Sequence, residues 1–254
     1  MRRQQPAAEG RHSPFSQNVS GAGLAVVFTH GIMGSPRQFD DLVAALGQTC
    51  SIENLLLPGH GATSREYADC NIKEWQRYLD EVVDRLSKNH DRIILVGHSL
   101  GSLLSVCTAL AWPDKVKGLF LIATPLRVGI SSRFIRRSLA IAFSRQANNP
   151  EVDLANQTSS VHFPAWYNYL QGSGRVPELF TKSHQVRHLI SRLSCPVCAF
   201  WSEQDEIVDI RSSELLPDKD NFRKILIKNS GHYIYSPEES QLIRESFLHF
   251  VEMI

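Results

Sequence analysis

Ser99 stands in Gly97-His98-Ser99-Leu100-Gly101, with a glycine two residues to either side. A serine so spaced can act as a nucleophile where the chain bends sharply, because only residues without side chains leave room for so tight a turn. The bend also aims the unpaired N–H groups of a following helix at a reacting oxygen, where they stabilise developing negative charge. A hydroxyl needs a base, and only imidazole both takes and returns a proton near neutrality. Of ten histidines, His232 alone follows the last apolar strand pattern directly after a glycine, in Asn229-Ser230-Gly231-His232. An acid that orients it is sought among Glu203, Asp205, Glu206 and Asp209, and Asp205 is favoured because it lies just beyond a strand. Such a set performs acyl transfer through a covalent ester on the serine. His30 and His98 flank these residues as hydrogen-bonding supports, and His249 is read as a surface or core residue within a helix.

The elements around these residues must deliver them to one place. Residues 92–96 are an apolar run that reads as a buried strand, and Leu100, Leu103, Leu104, Cys107 and Leu110 then recur at helical spacing until Pro113. Further strands are predicted over 23–29, 50–57, 118–123, 195–201 and 224–228. Helices open at Ser35-Pro36-Arg37-Gln38, at Asn71-Ile72-Lys73-Glu74 and at Ser236-Pro237-Glu238-Glu239, each a cap followed by an apolar stripe. A short helix is expected over 212–216. Strand–helix alternation with near-continuous apolar strands calls for a parallel sheet covered on both faces. In open sheets of this kind reactive groups gather at the carboxyl ends of the strands. His30-Gly31-Ile32, Ser99, Asp205 and His232 all stand at such ends.

From Arg127 to Arg192 the alternation stops. This segment carries helix-like stretches over 130–143 and 180–193, and aromatics at Phe163, Trp166, Tyr167 and Tyr169. It holds nine Lys and Arg against three Asp and Glu, a balance of +6 that leaves −5 on the remainder of a chain whose net charge is +1. A net charge so near zero gives no global attraction to nucleic acid. No apolar run approaches the ~18–20 residues of a membrane span. The polar start of the chain lacks the apolar centre of a signal peptide. With five cysteines, an odd count, reduced thiols in a cytoplasmic protein are expected. Cys195-Pro196-Val197-Cys198 has redox or metal spacing but falls inside a strand pattern, where small buried residues are the simpler reading.

Taken together, His30-Gly31-Ile32-Met33-Gly34, Leu57-Pro58-Gly59-His60-Gly61, Gly97-His98-Ser99-Leu100-Gly101, the stretch from Ser202 to Val208 and Gly231-His232 resemble the α/β-hydrolase superfamily. The likeness is to its carboxylesterase and monoacylglycerol-lipase-like branch, the serine-aminopeptidase-like group, and it runs from about Ser13 onward. Serine, acid and histidine also follow one another in that family's order. The resemblance implies Ser99 as nucleophile, His232 as base and Asp205 as orienting acid, with the backbone N–H groups of Ile32 and Leu100 as the oxyanion hole. It implies an α/β-hydrolase fold with a mostly parallel sheet of six or seven strands, helices on both faces and a helical cap inserted after strand 118–123. The expected division is a disordered or extended lead-in over 1–22, a core over 23–126 and 193–254, and a cap over 127–192. Met33, Phe134, Trp166 and Tyr167 are the expected substrate contacts, with the cap's own core as the alternative for its apolar residues, and Arg133, Arg136, Arg137 and Arg145 are read as a solvated face with a lipid surface as the alternative. The expected activity is hydrolysis of small to medium acyl esters, monoacylglycerols among them, without metal or cofactor. Acyl transfer and amide or peptide cleavage are the alternatives. Three positions depart from the family pattern: Ser102 and Ser202 replace glycines, and Asp209 replaces a proline.

Overall fold

A computed structural model describes residues 12–129, 159–161 and 174–254. Seven strands form one open sheet: β1 (Phe15–Gln17), β2 (Leu24–Thr29), β3 (Ser51–Leu55), β4 (Arg92–His98), β5 (Val116–Ile122), β6 (Val197–Ser202) and β7 (Phe222–Ile227). Their spatial order is β1-β3-β2-β4-β5-β6-β7. β1 runs antiparallel to β3, and every other pairing is parallel. β2, β4 and β5 lie at the centre, where both faces are covered, which is why they are apolar at almost every position. β4 registers Leu95 against Val27 on one side and Leu119 on the other.

Six helices of six to seventeen residues flank the sheet among the described residues: α1 (Asp40–Leu46), α2 (Ser64–Asp69), α3 (Ile72–Ser87), α4 (Leu100–Ala111), α5 (Arg175–Leu189) and α6 (Pro237–Met253). Trp75, Leu79, Val83, Leu103, Leu104 and Val186 build the core on one face, and Phe39, Leu42, Phe247 and Phe250 build the other. α3 begins where the sequence places it, in a capping box: Asn71 accepts from the amides of Lys73 and Glu74, and Glu74 returns to the Asn71 amide at 2.9 Å. No described helix is long and apolar enough to cross a membrane.

Several boundaries differ from the sequence reading. β1 falls within the polar lead-in, pinned to β3 by backbone pairing and by Gln17, whose amide donates to the carbonyls of Gly47 and Cys50. Ser35 opens a 3-10 turn, Pro36–Phe39, before α1, and its hydroxyl is shared between the Arg37 amide and His12 Nδ1. Gln38 therefore does not close a capping box there. α5 starts at Arg175, ahead of the expected 180, and finishes in a 3-10 turn, Ile190–Arg192. The short helix expected at 212–216 is a 3-10 turn over Ile210–Leu215. The helix expected over 130–143 lies outside the described residues.

Candidate active site

The bend at Ser99 is built by steric exclusion. Ser99 has φ 53° and ψ −117°, a conformation costing roughly 1–3 kcal/mol for a residue with a side chain. A Cβ at 97 would stand 2.6 Å from the Ser102 backbone, and one at 101 would stand 1.9 Å from the Thr29 carbonyl oxygen. Glycine at both positions thus lets α4 start directly against the ends of β2 and β4. Ser102, one of the departures from the family pattern, donates its one hydroxyl proton to the Gly97 carbonyl at 2.8 Å, with the Ile122 carbonyl as a second acceptor within reach at 3.2 Å. Leu100, the first residue of α4, has its amide at the helix N-terminus, where N–H groups lack intrahelical acceptors.

The turn that carries Ile32 comes up against the serine at Gly31. The segment Gly31–Gly34 is a tight turn closed by Gly34 N–H donating to Gly31 C=O at 2.9 Å. Met33, half-buried, occupies its third position with φ 53°, a place glycine usually takes. A Cβ at 31 would come within 3.0 Å of the Ser99 Cβ, so glycine sets how closely the turn approaches the serine. His30 anchors the turn. Its Nδ1–H donates to Gly31 C=O at 2.8 Å and its Nε2 accepts the Leu57 amide at 3.1 Å, a pattern only the neutral ring can make. Burial pushes its pKa down to about 4.

His232 and Asp205 are brought together at the ends of β7 and β6. His232 Nδ1 lies 2.8 Å from Asp205 Oδ2, with the imidazole fully buried and the carboxylate nearly so. Asp205 Oδ1 accepts the amides of Ile207 and Val208, each at 2.8 Å. Burial raises the Asp205 pKa, but the His232 imidazole and those two amides outweigh it and hold the carboxyl below its ordinary value. A carboxylate fixed at Nδ1 leaves Nε2 as the basic nitrogen. That Nε2 is buried and has no hydrogen-bond partner among the described residues.

The chain neighbour of Ser99 joins the two halves. His98 Nε2–H donates to the His232 carbonyl at 2.9 Å, and the two rings pack at 4.8 Å. Burial holds His98 neutral, with its pKa lowered to about 3. Tyr235 donates its hydroxyl to the same carbonyl at 3.3 Å, and Tyr233 donates to Ile32 C=O at 3.3 Å.

Of the four acids weighed in the sequence, Asp205 is hydrogen-bonded to the imidazole. Glu206 instead accepts the His232 amide at 3.0 Å, and a Cβ at Gly231 would stand 3.0 Å from that carboxylate. Asp209 caps the 3-10 turn through the Arg211 amide at 2.9 Å and pairs with Arg127 and Arg211. Glu203 is exposed, and so is His249. Ser202, another departure from the pattern, donates to Ser230 C=O and so ties the acid-bearing strand to the histidine loop. Glu239 was read only as a helix cap, yet it reaches sideways to accept the amides of Lys228 at 2.7 Å and Asn229 at 3.0 Å and the Ser230 hydroxyl. Phe134, Trp166 and Tyr167 lie outside the described residues, as do the arginines at 133, 136, 137 and 145.

Cys195 and Cys198 are unpaired, and burial pushes both thiols up to about 11. They are neutral packing residues, since thiolate chemistry requires the opposite shift. Among the described residues no three or more His, Cys, Asp or Glu side chains group as metal ligands.

The rat mitochondrial palmitoyl-protein thioesterase ABHD10 is 27% identical over 191 residues, 73% of this chain and 60% of that protein. The mouse protein of the same name matches over 50% of its length, so the chain spans little more than half of these relatives. A pimeloyl-[acyl-carrier protein] methyl ester esterase of Nitrosomonas europaea is 30% identical over 106 residues, 42% of this chain and 39% of that one. Among solved structures, one from the metagenome-derived lipolytic enzymes LipS and LipT superposes with a TM-score of 0.70 at 21% identity, covering 96% of this chain and 99% of that one. The monoacylglycerol lipase of Paleococcus ferrophilus superposes with a TM-score of 0.67 at 19% identity, covering 94% and 98%. At such identities these structures speak for the fold alone. The profile of the alpha/beta hydrolase family matches residues 26–243, and the chain, with its seven-stranded open sheet, belongs to that family.

Proposed function

We propose that the protein is a serine hydrolase of carboxylic acyl esters, with Ser99 as nucleophile, His232 as general base and Asp205 as the acid that orients it. The observation that carries this reading is the buried His232–Asp205 pair at 2.8 Å with its Nε2 unpartnered among the described residues, tied through His98 to the strained bend at Ser99. His232 takes the hydroxyl proton as Ser99 attacks the ester carbonyl, and Asp205 stabilises the imidazolium. The amides of Ile32 and Leu100 donate to the tetrahedral oxyanion, each worth roughly 3–4 kcal/mol. The imidazolium then protonates the departing alkoxide, water attacks the acyl-enzyme with His232 again as base, and the acid leaves as Ser99 regains its proton.

The names of the relatives, a thioesterase and a methyl ester esterase, support cleavage at an acyl carbonyl. We further assign the acyl-binding contacts to Met33 of the turn and to Phe134, Trp166 and Tyr167 of the inserted segment. Five unpaired cysteines fit a reducing compartment such as the cytoplasm. The test is a chain-length series of esters, monoacylglycerols and thioesters, run beside labelling by a serine-directed phosphonate. Ser99→Ala is expected to abolish labelling and to lower turnover by at least about 10³-fold, with the fold intact by circular dichroism. A folded variant that keeps appreciable turnover would rule the serine mechanism out.

A further inference from the structure

The turn that offers the Ile32 amide is gripped by a residue from the inserted segment. Ser160, only 5% exposed, donates its amide to Met33 C=O at 3.0 Å and its hydroxyl to Gly34 C=O. Its own carbonyl accepts the Gly61 amide at 3.1 Å. One side chain and its backbone therefore tie the Gly31–Gly34 turn to the Leu57–Gly61 loop, which His30 already engages from the other side.

The peptide planes show what this grip does. Met33 C=O and Gly34 N–H belong to the same peptide unit, as do Gly31 C=O and Ile32 N–H. Ser160 N–H donates into the first unit, whose Gly34 N–H donates at 2.9 Å into the second, whose other end is Ile32 N–H. Hydrogen bonds in series polarise one another and fix one another's direction. His30 Nδ1–H donates to the same Gly31 carbonyl and adds to that polarisation. The Ser160 hydroxyl holds the exit of the turn at Gly34, next to Met33 with its positive φ, where the turn is under strain.

We propose that Ser160 is a positioning residue for the oxyanion hole: through Met33, Gly34 and Gly31 it aligns the Ile32 amide, so the inserted segment sets catalytic rate as well as what is bound. This rests on the reading of Ile32 as an oxyanion donor. Ser160→Ala keeps the amide bond to Met33 but leaves the Gly34 carbonyl without its donor, so the exit of the turn is freed and the Met33–Gly34 peptide that feeds the Ile32 amide shifts with it. An effect on the tetrahedral species falls on kcat and is the same for every acyl chain, whereas an effect on pocket lining varies with chain length and appears in KM.

The experiment measures kcat and KM for short, medium and long acyl esters in wild type, Ser160→Ala, Ser160→Thr and Val161→Ala. Ser160→Ala is expected to lower kcat about tenfold or more on all esters with KM within about twofold, short of the ~100-fold or greater loss of an oxyanion donor itself. Ser160→Thr keeps the hydroxyl and recovers most of the rate. Val161, 4% exposed, packs the same segment without making these bonds through its side chain, and Val161→Ala is expected to keep kcat within about twofold. Should Ser160→Ala fail to fold, Ser160→Thr against Ser160→Val makes the same comparison at equal volume. Unchanged kcat in Ser160→Ala, a loss confined to long chains, or equal losses in Ser160→Ala and Val161→Ala would each overturn the proposal. Turnover that survives Ser99→Ala sinks the hydrolase reading instead, which separates the two failures.

Discussion

Around Ser99 the chain is held by backbone against backbone, while around His232 it is held by side chains from distant elements. The bend at Ser99 is an elbow between central strands, with φ 53° maintained because Gly97 lets β4 approach Ser102 of α4 and Gly101 lets α4 approach Thr29 of β2. The histidine loop follows β7, an edge strand paired on one side only, and its placement depends on Glu206, Glu239, Ser202 and His98. Sterics tolerate almost no substitution and fail completely when violated. A set of hydrogen bonds loses one member at a time. The two halves should therefore break differently, and the sizes of the effects are the measure.

The largest effect belongs to Gly101→Ala. The new methyl would lie 1.9 Å from the Thr29 carbonyl oxygen, a backbone atom that cannot yield without separating β2 from α4. Destabilisation above about 4 kcal/mol is expected, the range of severe overpacking, and it should appear as loss of cooperative thermal unfolding. Gly23→Ala is the control, since nothing lies within 4 Å of its added methyl. Equal melting temperatures for the two variants would mean the elbow is not held by close approach.

The same contrast explains what could be read from the sequence. Steric rules fix residue type at fixed spacing, so the elbow, the buried strands leading to it and the capping box at Asn71 were all legible. Asp205 was legible as a carboxylate near His232 because it follows β6 directly, and its Oδ2 lies 2.8 Å from His232 Nδ1. β1 was not, because Phe15-Ser16-Gln17 carries no alternation and owes its extension to β3. α2 was missed although Thr63 and Glu66 form a capping box, since six residues with Ser64 and Tyr67 buried show no period. Glu206 and Glu239 reach amides 26 and 10 to 11 residues away, and no spacing rule links a carboxylate to a loop so placed. Ser160 is equally silent: its partners Met33 and Gly34 lie across the fold, and the bonds it receives and gives are largely backbone.

An intermediate effect comes from the buried histidines around the bend, His98 among them joining its two sides. His30, with its pKa lowered to about 4, and His98, lowered to about 3, refuse protons that the unfolded chain accepts near 6.5. His60, packed against His30 at 4.6 Å between ring centroids, is shifted in the same direction by burial. Between pH 6.5 and about 4 the unfolded state binds more protons, so stability rises with pH and is lost on acidification. Each ring contributes up to about 1.4 kcal/mol per pH unit in that window. For His30 and His98 together, unfolding free energy from urea titrations should fall by about 4 kcal/mol between pH 7.5 and pH 5. A urea midpoint that does not move over this range would contradict the neutral, buried state of the two rings.

The smallest effect is expected at Glu239, and it tests the side-chain half of the comparison most directly. Burial raises its pKa, but the Ser230 hydroxyl and the amides of Lys228 and Asn229 prevail and keep the carboxylate ionised below its usual range. The Ser230 hydroxyl in turn accepts the Ser236 amide at 3.1 Å, so the start of α6 and the approach to His232 share one set of bonds. Glu239→Gln keeps the volume and one acceptor oxygen but places an NH₂ group where Ser230 now donates. The serine hydroxyl must rotate, and the charge that strengthens three bonds is gone. Stability should fall by about 1–3 kcal/mol. If the bonds also set where the imidazole stands, kcat on a short ester falls about tenfold, a ~1.4 kcal/mol change in the barrier, while KM holds. A melting temperature that drops with kcat unmoved would assign Glu239 to stability alone, and the histidine loop would then owe its position to Glu206 and His98.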